Sequence, residues 1–138
     1  MSTLAKLLIL IFVLSINPFN LFGQFTLTVT ITGLENSKGQ ILLELKNDKE
    51  EKISGHTQTI ENNKCIIYIS NLKPGKYSFR YFHDENKNEE LDTNWLGIPK
   101  EGFGFSNNAK GTFGPPSFKK TIFNLNGDTS QICTPTYY

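Results

Sequence analysis

Two cysteines, two histidines, one methionine and one tryptophan in 138 residues leave little reactive chemistry to distribute. His56 and His83 lie far apart, and neither neighbours Cys65 or Cys133, so the close ligand spacing of a zinc site is missing. No glycine-rich loop sits between a strand and a helix, which excludes the common phosphate-binding turns. Charge of one sign is missing too. The formal net charge is +1, and Lys6 is the only charged residue among the first 23, so the remainder is balanced. Balance of that kind argues against a nucleic-acid partner and against a polybasic membrane binder. Long apolar runs are absent except for one, Leu7 to Leu14, with Lys6 before it and small Gly23 after it. This is the pattern of a secretory signal peptide over residues 1–23, and it is too short for a comfortable membrane span. The competing reading is an uncleaved N-terminal anchor. No cysteine follows the run, so no lipid anchor is expected. The expectation is an exported protein of the periplasm, cell surface or medium, with residues 24–138 as one domain and no membrane insertion after cleavage.

What is present is β-pattern. Phe25-Thr26-Leu27-Thr28-Val29-Thr30-Ile31-Thr32 alternates apolar residues with threonine, which is a strand with one buried face. Gln40–Leu45 forms the second strand, and the Asn36–Gly39 turn suggests a hairpin between the two. Residues 47–55 read as a polar loop or a short irregular helix, followed by a weak strand at 57–60. Lys64–Ile69 and Lys76–Phe82 are rich in β-formers, with Tyr77, Phe79 and Tyr81 on one face. Lys120–Leu125 and Gln131–Tyr137 flank Asn126-Gly127-Asp128, a hairpin signal. Pro135 confines the last strand to an edge or an end. Helical periodicity is nearly absent. The expected fold is all-β, an antiparallel β-sandwich of six or seven strands. Export permits a Cys65–Cys133 disulfide, worth roughly 4 kcal/mol by chain entropy. Two buried free thiols are the alternative.

Residues 84–118 carry no clear strand. A loop this long is functional or disordered in most domains. Trp95, Phe103, Phe105, Phe113 and Phe118 argue for order, because disordered segments are poor in aromatics. Their expected place is against one end of the sandwich. Trp95, Phe103 and Phe105 are candidate apolar ligand contacts, and Asn107 and Asn108 candidate polar ones. Plugging the core is the plainer role for the same rings.

The segment opens with oxygen-bearing side chains at Asp84, Asn86, Asn88 and Asp92, and position 7 offers the Glu90 carbonyl. Alternate residues of a tight loop point one way, and Ca²⁺ needs six to eight converging oxygens. Calcium is therefore a candidate cofactor at Asp84, Asn86, Asn88, Glu90 and Asp92, in the weak extracellular range of about 10⁻⁴–10⁻³ M. Two positions depart from the EF-hand pattern: Glu89 stands where glycine is usual, and Trp95 where glutamate is usual. An Asx-rich turn is the alternative.

Catalytic constellations are sparse. His83 and Asp84 are adjacent, so in a strand they face opposite ways, and no nucleophile elbow surrounds Ser106. Glu85, Glu89, Glu90 and Glu101 offer carboxylates for a glycosidase-like pair, against the plainer reading of a solvated acidic loop. No enzyme activity is expected.

Phe82-His83-Asp84-Glu85-Asn86, Leu91-Asp92-Thr93-Asn94, Gly97 to Ala109 and Phe113-Gly114-Pro115-Pro116-Ser117-Phe118 resemble the bacterial family called domain of unknown function 2141. Leu72-Lys73-Pro74-Gly75-Lys76-Tyr77 is similar to the same family's Pro-Gly-x-Tyr turn. The resemblance runs from about Phe25 to the C-terminus. It implies a secreted or envelope protein with a transthyretin-like or collagen-adhesin-B-like sandwich, and it supplies no activity. Three functions remain in view: a non-enzymatic module binding an envelope or extracellular ligand through the 84–118 loop, a purely structural envelope protein, and a hydrolase using loop carboxylates.

Overall fold

The computed structural model describes residues 23–138. The expected signal peptide and its apolar run lie outside the described residues. Eight strands form in chain order: β1 (Phe25–Ile31), β2 (Gln40–Asn47), β3 (Lys52–Thr59), β4 (Cys65–Leu72), β5 (Gly75–Asp84), β6 (Phe103–Phe105), β7 (Phe123–Leu125) and β8 (Thr129–Cys133). A 3-10 turn at Ser106–Asn108 follows β6, and a single helical turn, α1, spans Phe118–Thr121. The strands make two sheets. The smaller has order β4-β1-β8; the larger has order β3-β2-β5-β6, with β7 also paired to β5. The β-sandwich expected from period-two alternation is the observed fold. Leu27, Val29 and Ile31 of β1 and Ile41, Leu43 and Leu45 of β2 are sealed between the sheets. Ile67 and Ile69 of β4 join them, as do Phe79 and Tyr81 of β5.

Connectivity differs from expectation in three places, each for a physical reason. First, β1 and β2 do not form a hairpin. Their apolar faces oppose one another across the core, so the 32–39 connection carries the chain from one sheet to the other. Gly39 is needed there: its φ is +69°, and a Cβ would stand 2.0 Å from the Asp84 carbonyl oxygen. Second, the Asn126-Gly127-Asp128 turn also joins the two sheets instead of closing a hairpin. β7 pairs with β5, while β8 runs parallel to β1. Asp128 directs this crossing by accepting the Thr26 amide on Oδ1 at 2.9 Å. Nearly the whole domain separates β1 from β8 in sequence, so a parallel pair costs no strained connection. Third, the polar stretch before residue 57 is mostly strand. β3 is an edge strand paired to β2 alone, and its inward Ser54 and His56 are only half-buried, so it needs no apolar alternation. The strand expected over 120–125 is shortened to β7, with α1 occupying 118–121.

The register also decides the cysteines. Ile31 pairs with Cys65 on one side and with Cys133 on the other. Their Cα atoms are therefore two strand spacings apart, about 9.5 Å. A disulfide needs Cα atoms within about 7 Å. Both cysteines are free and buried, and burial pushes each thiol up to about 11.

Candidate functional site

The 84–102 segment is built around two buried carboxylates. Asp84, at the end of β5, is completely buried. Its Oδ1 accepts the Asn88 amide at 3.1 Å, and its Oδ2 accepts the Glu89 amide and the Gln40 side chain, each at 3.0 Å. Glu101 grips the same loop from the far side, with Oε1 on the Glu85 amide at 3.0 Å and Oε2 on the Asp92 amide at 3.1 Å. Burial raises the Glu101 carboxyl above its usual range; its two amide bonds oppose the rise, and the nearby Asp92 and Asp84 charges add to it. Between these anchors, Asn86 Nδ2 donates to Asp92 Oδ2 at 2.6 Å and Asn88 Nδ2 to Asp92 Oδ1 at 2.8 Å. The Glu90 amide caps onto Asn88 Oδ1 at 3.0 Å. Among the described residues no three His, Cys, Asp or Glu side chains converge as a metal group. Glu89 has φ +64°, the left-handed conformation that a glycine ordinarily supplies at this place of an EF-hand loop.

His83 is wholly buried and fully engaged. Its Nε2 lies 2.7 Å from the Lys38 carbonyl, which can only accept, so that nitrogen carries the proton. Nδ1 then accepts the Tyr137 hydroxyl at 2.8 Å. The ring ties the loop entrance to the end of the chain and has no free nitrogen for catalysis.

Asn107 and Asn108 hold backbone. Asn107 Nδ2 donates to the Lys120 and Ile122 carbonyls at 3.1 and 2.9 Å. Asn108 bonds both ways with the strand end beside it, to the Ile132 carbonyl at 2.9 Å and from the Thr134 amide at 3.0 Å. Both asparagines adopt positive φ, at +62° and +49°. Their amides thus pin the loop to β8 and α1. Neighbouring Ser106 is buried; its Oγ accepts the Phe79 amide at 3.0 Å and donates to the Thr121 carbonyl.

The aromatics divide into two groups. Phe103 and Phe105 are half-buried on β6, packed edge to face at 6.3 Å, and Phe118 is half-buried on α1. Trp95 and Phe113 do not tuck against the sandwich as expected. They stand in solvent at the tips of two tight turns, 93–99 and 111–114.

A groove of about 820 Å³ lies on the outer face of the larger sheet. Pairing register puts Thr57, Leu42, Phe82 and Phe103 in one row across four strands, and Gly55, Glu44, Arg80 and Phe105 in the next. These rows are the floor. Arg80 and Glu44 meet there at 3.1 Å. One wall comes from Leu91, Gly97 and Pro99, the other from Gly114 and Pro115, and Tyr138 closes over Phe103 at 5.9 Å between rings. The volume suits a small or chain-like ligand.

Residues 29–133 match the family described as an uncharacterized protein conserved in bacteria, DUF2141. The chain belongs to this family. No curated protein and no solved structure matches it. In this DUF2141 chain the Gly97–Ala109 stretch supplies one groove wall, β6 and the asparagine pins, and the Phe113–Phe118 stretch supplies the other wall. Sequence reasoning singled out Phe103 and Phe105 but missed Leu42, Arg80 and Phe82. A signal for two of them existed. Leu42 and Phe82 place large apolar residues on the outward side of strands whose inward side is already apolar.

Proposed function

We propose that this protein is an exported, non-enzymatic binding module whose ligand, elongated and largely apolar, lies in the groove over the larger sheet. The observation that carries this reading is the groove itself, with the half-buried Leu42, Phe82, Phe103 and Phe105 facing outward beneath walls supplied by the long loop. A sheet face covered only to seal the core would leave no such space. The non-enzymatic part is supported by the state of the polar groups. Asp84 and Glu101 spend their oxygens on amides, and His83 spends both ring nitrogens. The probe is Nile red, an uncharged apolar dye. Its fluorescence is expected to rise and saturate on the folded protein, with affinity weakened about tenfold by Phe82→Ser, in line with losing one buried ring. Circular dichroism checks that the variant is folded. No saturable signal, or one indifferent to Phe82→Ser, would favour a purely structural envelope protein.

The second element of the proposal is a calcium ion ordering the wall at 84–92, held by Asp84, Asn86, Asn88, Asp92 and the Glu90 carbonyl. The observation favouring it is local. Both asparagine amides already face Asp92, and turning each amide over would bring its oxygen there in place of an N–H donor, at the cost of the bonds that oxygen now accepts from the Asn88 and Glu90 amides. The backbone at Glu89 has the required left-handed turn despite the missing glycine. Thermal unfolding checks this. At a hundredfold excess over Kd, Ca²⁺ should add about 2.7 kcal/mol, a shift of several degrees for a domain this size. An absent shift, or an equal one in Mg²⁺, would leave the loop as an Asx-rich turn.

A further inference from the structure

We infer that the ligand of this groove is an uncharged amphiphile, with a hydrocarbon tail and a hydroxyl-bearing head seated on the Arg80–Glu44 pair. The inference rests on the groove being the binding site and adds the class of molecule it takes. The floor changes character across the strands. On the β6 side it is aromatic, with Phe103 packed against Phe105 and against the Tyr138 ring. Toward β3 it is polar. Arg80 and Glu44 lie side by side in one row, and Gly55 continues that row on β3. Having no side chain, Gly55 leaves room for Lys52: a Cβ at 55 would stand 3.5 Å from the Lys52 ammonium nitrogen. Thr57 ends the other row. A tail therefore finds its surface on one side of the groove, and a head finds its partners on the other.

Hydrogen-bonding capacity makes the head polar. One guanidinium nitrogen of Arg80 meets Glu44 Oε1 at 3.1 Å, and among the described residues its other N–H groups and Glu44 Oε2 have no partner. Arg80 is exposed and Glu44 half-buried, so water serves both in the open groove. Hydrocarbon laid across them would strip that water and leave them unsatisfied, which offsets the gain from burying apolar surface. Charge makes the head neutral. The charged side chains lining the groove are Glu44, Glu89, Lys52 and Arg80, two of each sign. Glu89 stands on the loop wall, by the Asp84 end of β5. Next to the groove, Lys46 approaches Glu44 at 3.5 Å and shares a smaller cavity with Glu50, so the balance holds there too. His56 turns inward opposite Leu43 and bonds Ser54 Oγ; burial lowers its pKa, so it adds no charge at neutral pH. A carboxylate head seated on Arg80 would also face Glu44, and an ammonium head seated on Glu44 would also face Arg80 and Lys52. A hydroxyl both accepts and donates. It can accept an Arg80 N–H and donate to Glu44 Oε2 with no like charge opposing it.

The test is displacement of Nile red, checked by calorimetry, with 1-octanol, octanoate and octylammonium, which share one tail length and differ in the head. Octanol is expected to bind about tenfold tighter than either ion at neutral pH. Glutamine keeps a donor and an acceptor in place but shifts the balance by one charge. Glu44→Gln should therefore raise octanoate relative to octanol about tenfold, and Arg80→Gln should do the same for octylammonium. Circular dichroism checks that both variants are folded. Equal affinities for the three heads, an ion binding tightest to the unsubstituted protein, or ratios unmoved by both substitutions would each overturn the inference. Nile red that octanol cannot displace would overturn it as well. The groove reading fails differently: Phe82→Ser would then leave the dye and all three probes unaffected. Both fall if neither the dye nor any probe binds.

Discussion

Asp84→Ala is expected to lower the unfolding free energy by about 2–4 kcal/mol and to open the 85–102 segment to protease while the sandwich strands survive. The size follows from what the carboxylate does. It is completely buried and accepts three hydrogen bonds, two from backbone amides of the loop and one from Gln40 on β2. Charge-assisted bonds of this kind contribute more than neutral ones. The Asn88 and Glu89 residues are exposed, so water recovers part of the loss, which keeps the figure below the sum of three bonds. The position follows from topology. Asp84 terminates β5, one residue beyond the Ile41–His83 pair, and Leu43, Leu45, Phe79 and Tyr81 lie farther along the strands. Urea unfolding gives the energy, and limited proteolysis with mass mapping gives the place. An unchanged midpoint together with unchanged cleavage at 85–102 would show that Glu101 alone holds the loop. Asn86→Ala is the control: that residue is exposed, and its loss should change stability little.

The features legible in the sequence were those set by solvent contrast. Strict alternation in β1 and the run of inward Tyr77, Phe79 and Tyr81 in β5 each named a buried face, and two such faces imply a sandwich. Partner choice was not legible. Asn36–Gly39 and Asn126–Asp128 both carry turn residues, but a turn signal specifies a change of direction, not whether the chain returns to the same sheet. That choice depends on which apolar faces must meet, a long-range matter. β3 was hidden for a related reason: an edge strand held by β2 needs little apolar content of its own.

The candidate site was half legible. Asp84 through Asp92 could be picked out by spacing, and the structure does bring Asn86 and Asn88 onto Asp92. Glu101 was named only among the carboxylates for a glycosidase-like pair, because nothing local says that it reaches back nine residues to the Asp92 amide. Asn107 and Asn108 looked like ligand groups because they are polar residues in an aromatic stretch. Their positive φ, which asparagine tolerates better than most residues, explains their presence equally well, and their amides bond backbone. The groove floor combines β2, β5 and β6 with walls from two loop arms, so no single window of sequence contains it.

Gly104 is a position in the groove floor where a single methyl group should do marked harm. It lies in β6 directly opposite Tyr81, and a Cβ there would stand 2.3 Å from the Tyr81 hydroxyl oxygen and 2.4 Å from ring carbon Cζ. The requirement is close approach; its backbone is ordinary strand. Tyr81 cannot yield easily, being 3% exposed and packed beside Phe79 at 6.4 Å between rings. Gly104→Ala is therefore expected to cost about 3 kcal/mol, at the upper end of overpacking, and to loosen β6 from β5. Because β6 carries Phe103 and Phe105, dye binding in the groove should fall with it. The Tyr81 hydroxyl is also a buried polar atom without a hydrogen-bond partner, and burial together with nearby Cys133 and Tyr137 raises its pKa well above the ordinary phenol range. Tyr81→Phe should consequently leave stability unchanged or raise it by about 1 kcal/mol, since it removes an unsatisfied group. Combining the two substitutions removes the hydroxyl clash but keeps the Cζ clash, so the double variant should recover part of the loss, with a coupling of at least about 0.5 kcal/mol. Strict additivity in urea unfolding of the four proteins would mean that Tyr81 moves aside freely, and that glycine at 104 has no packing role.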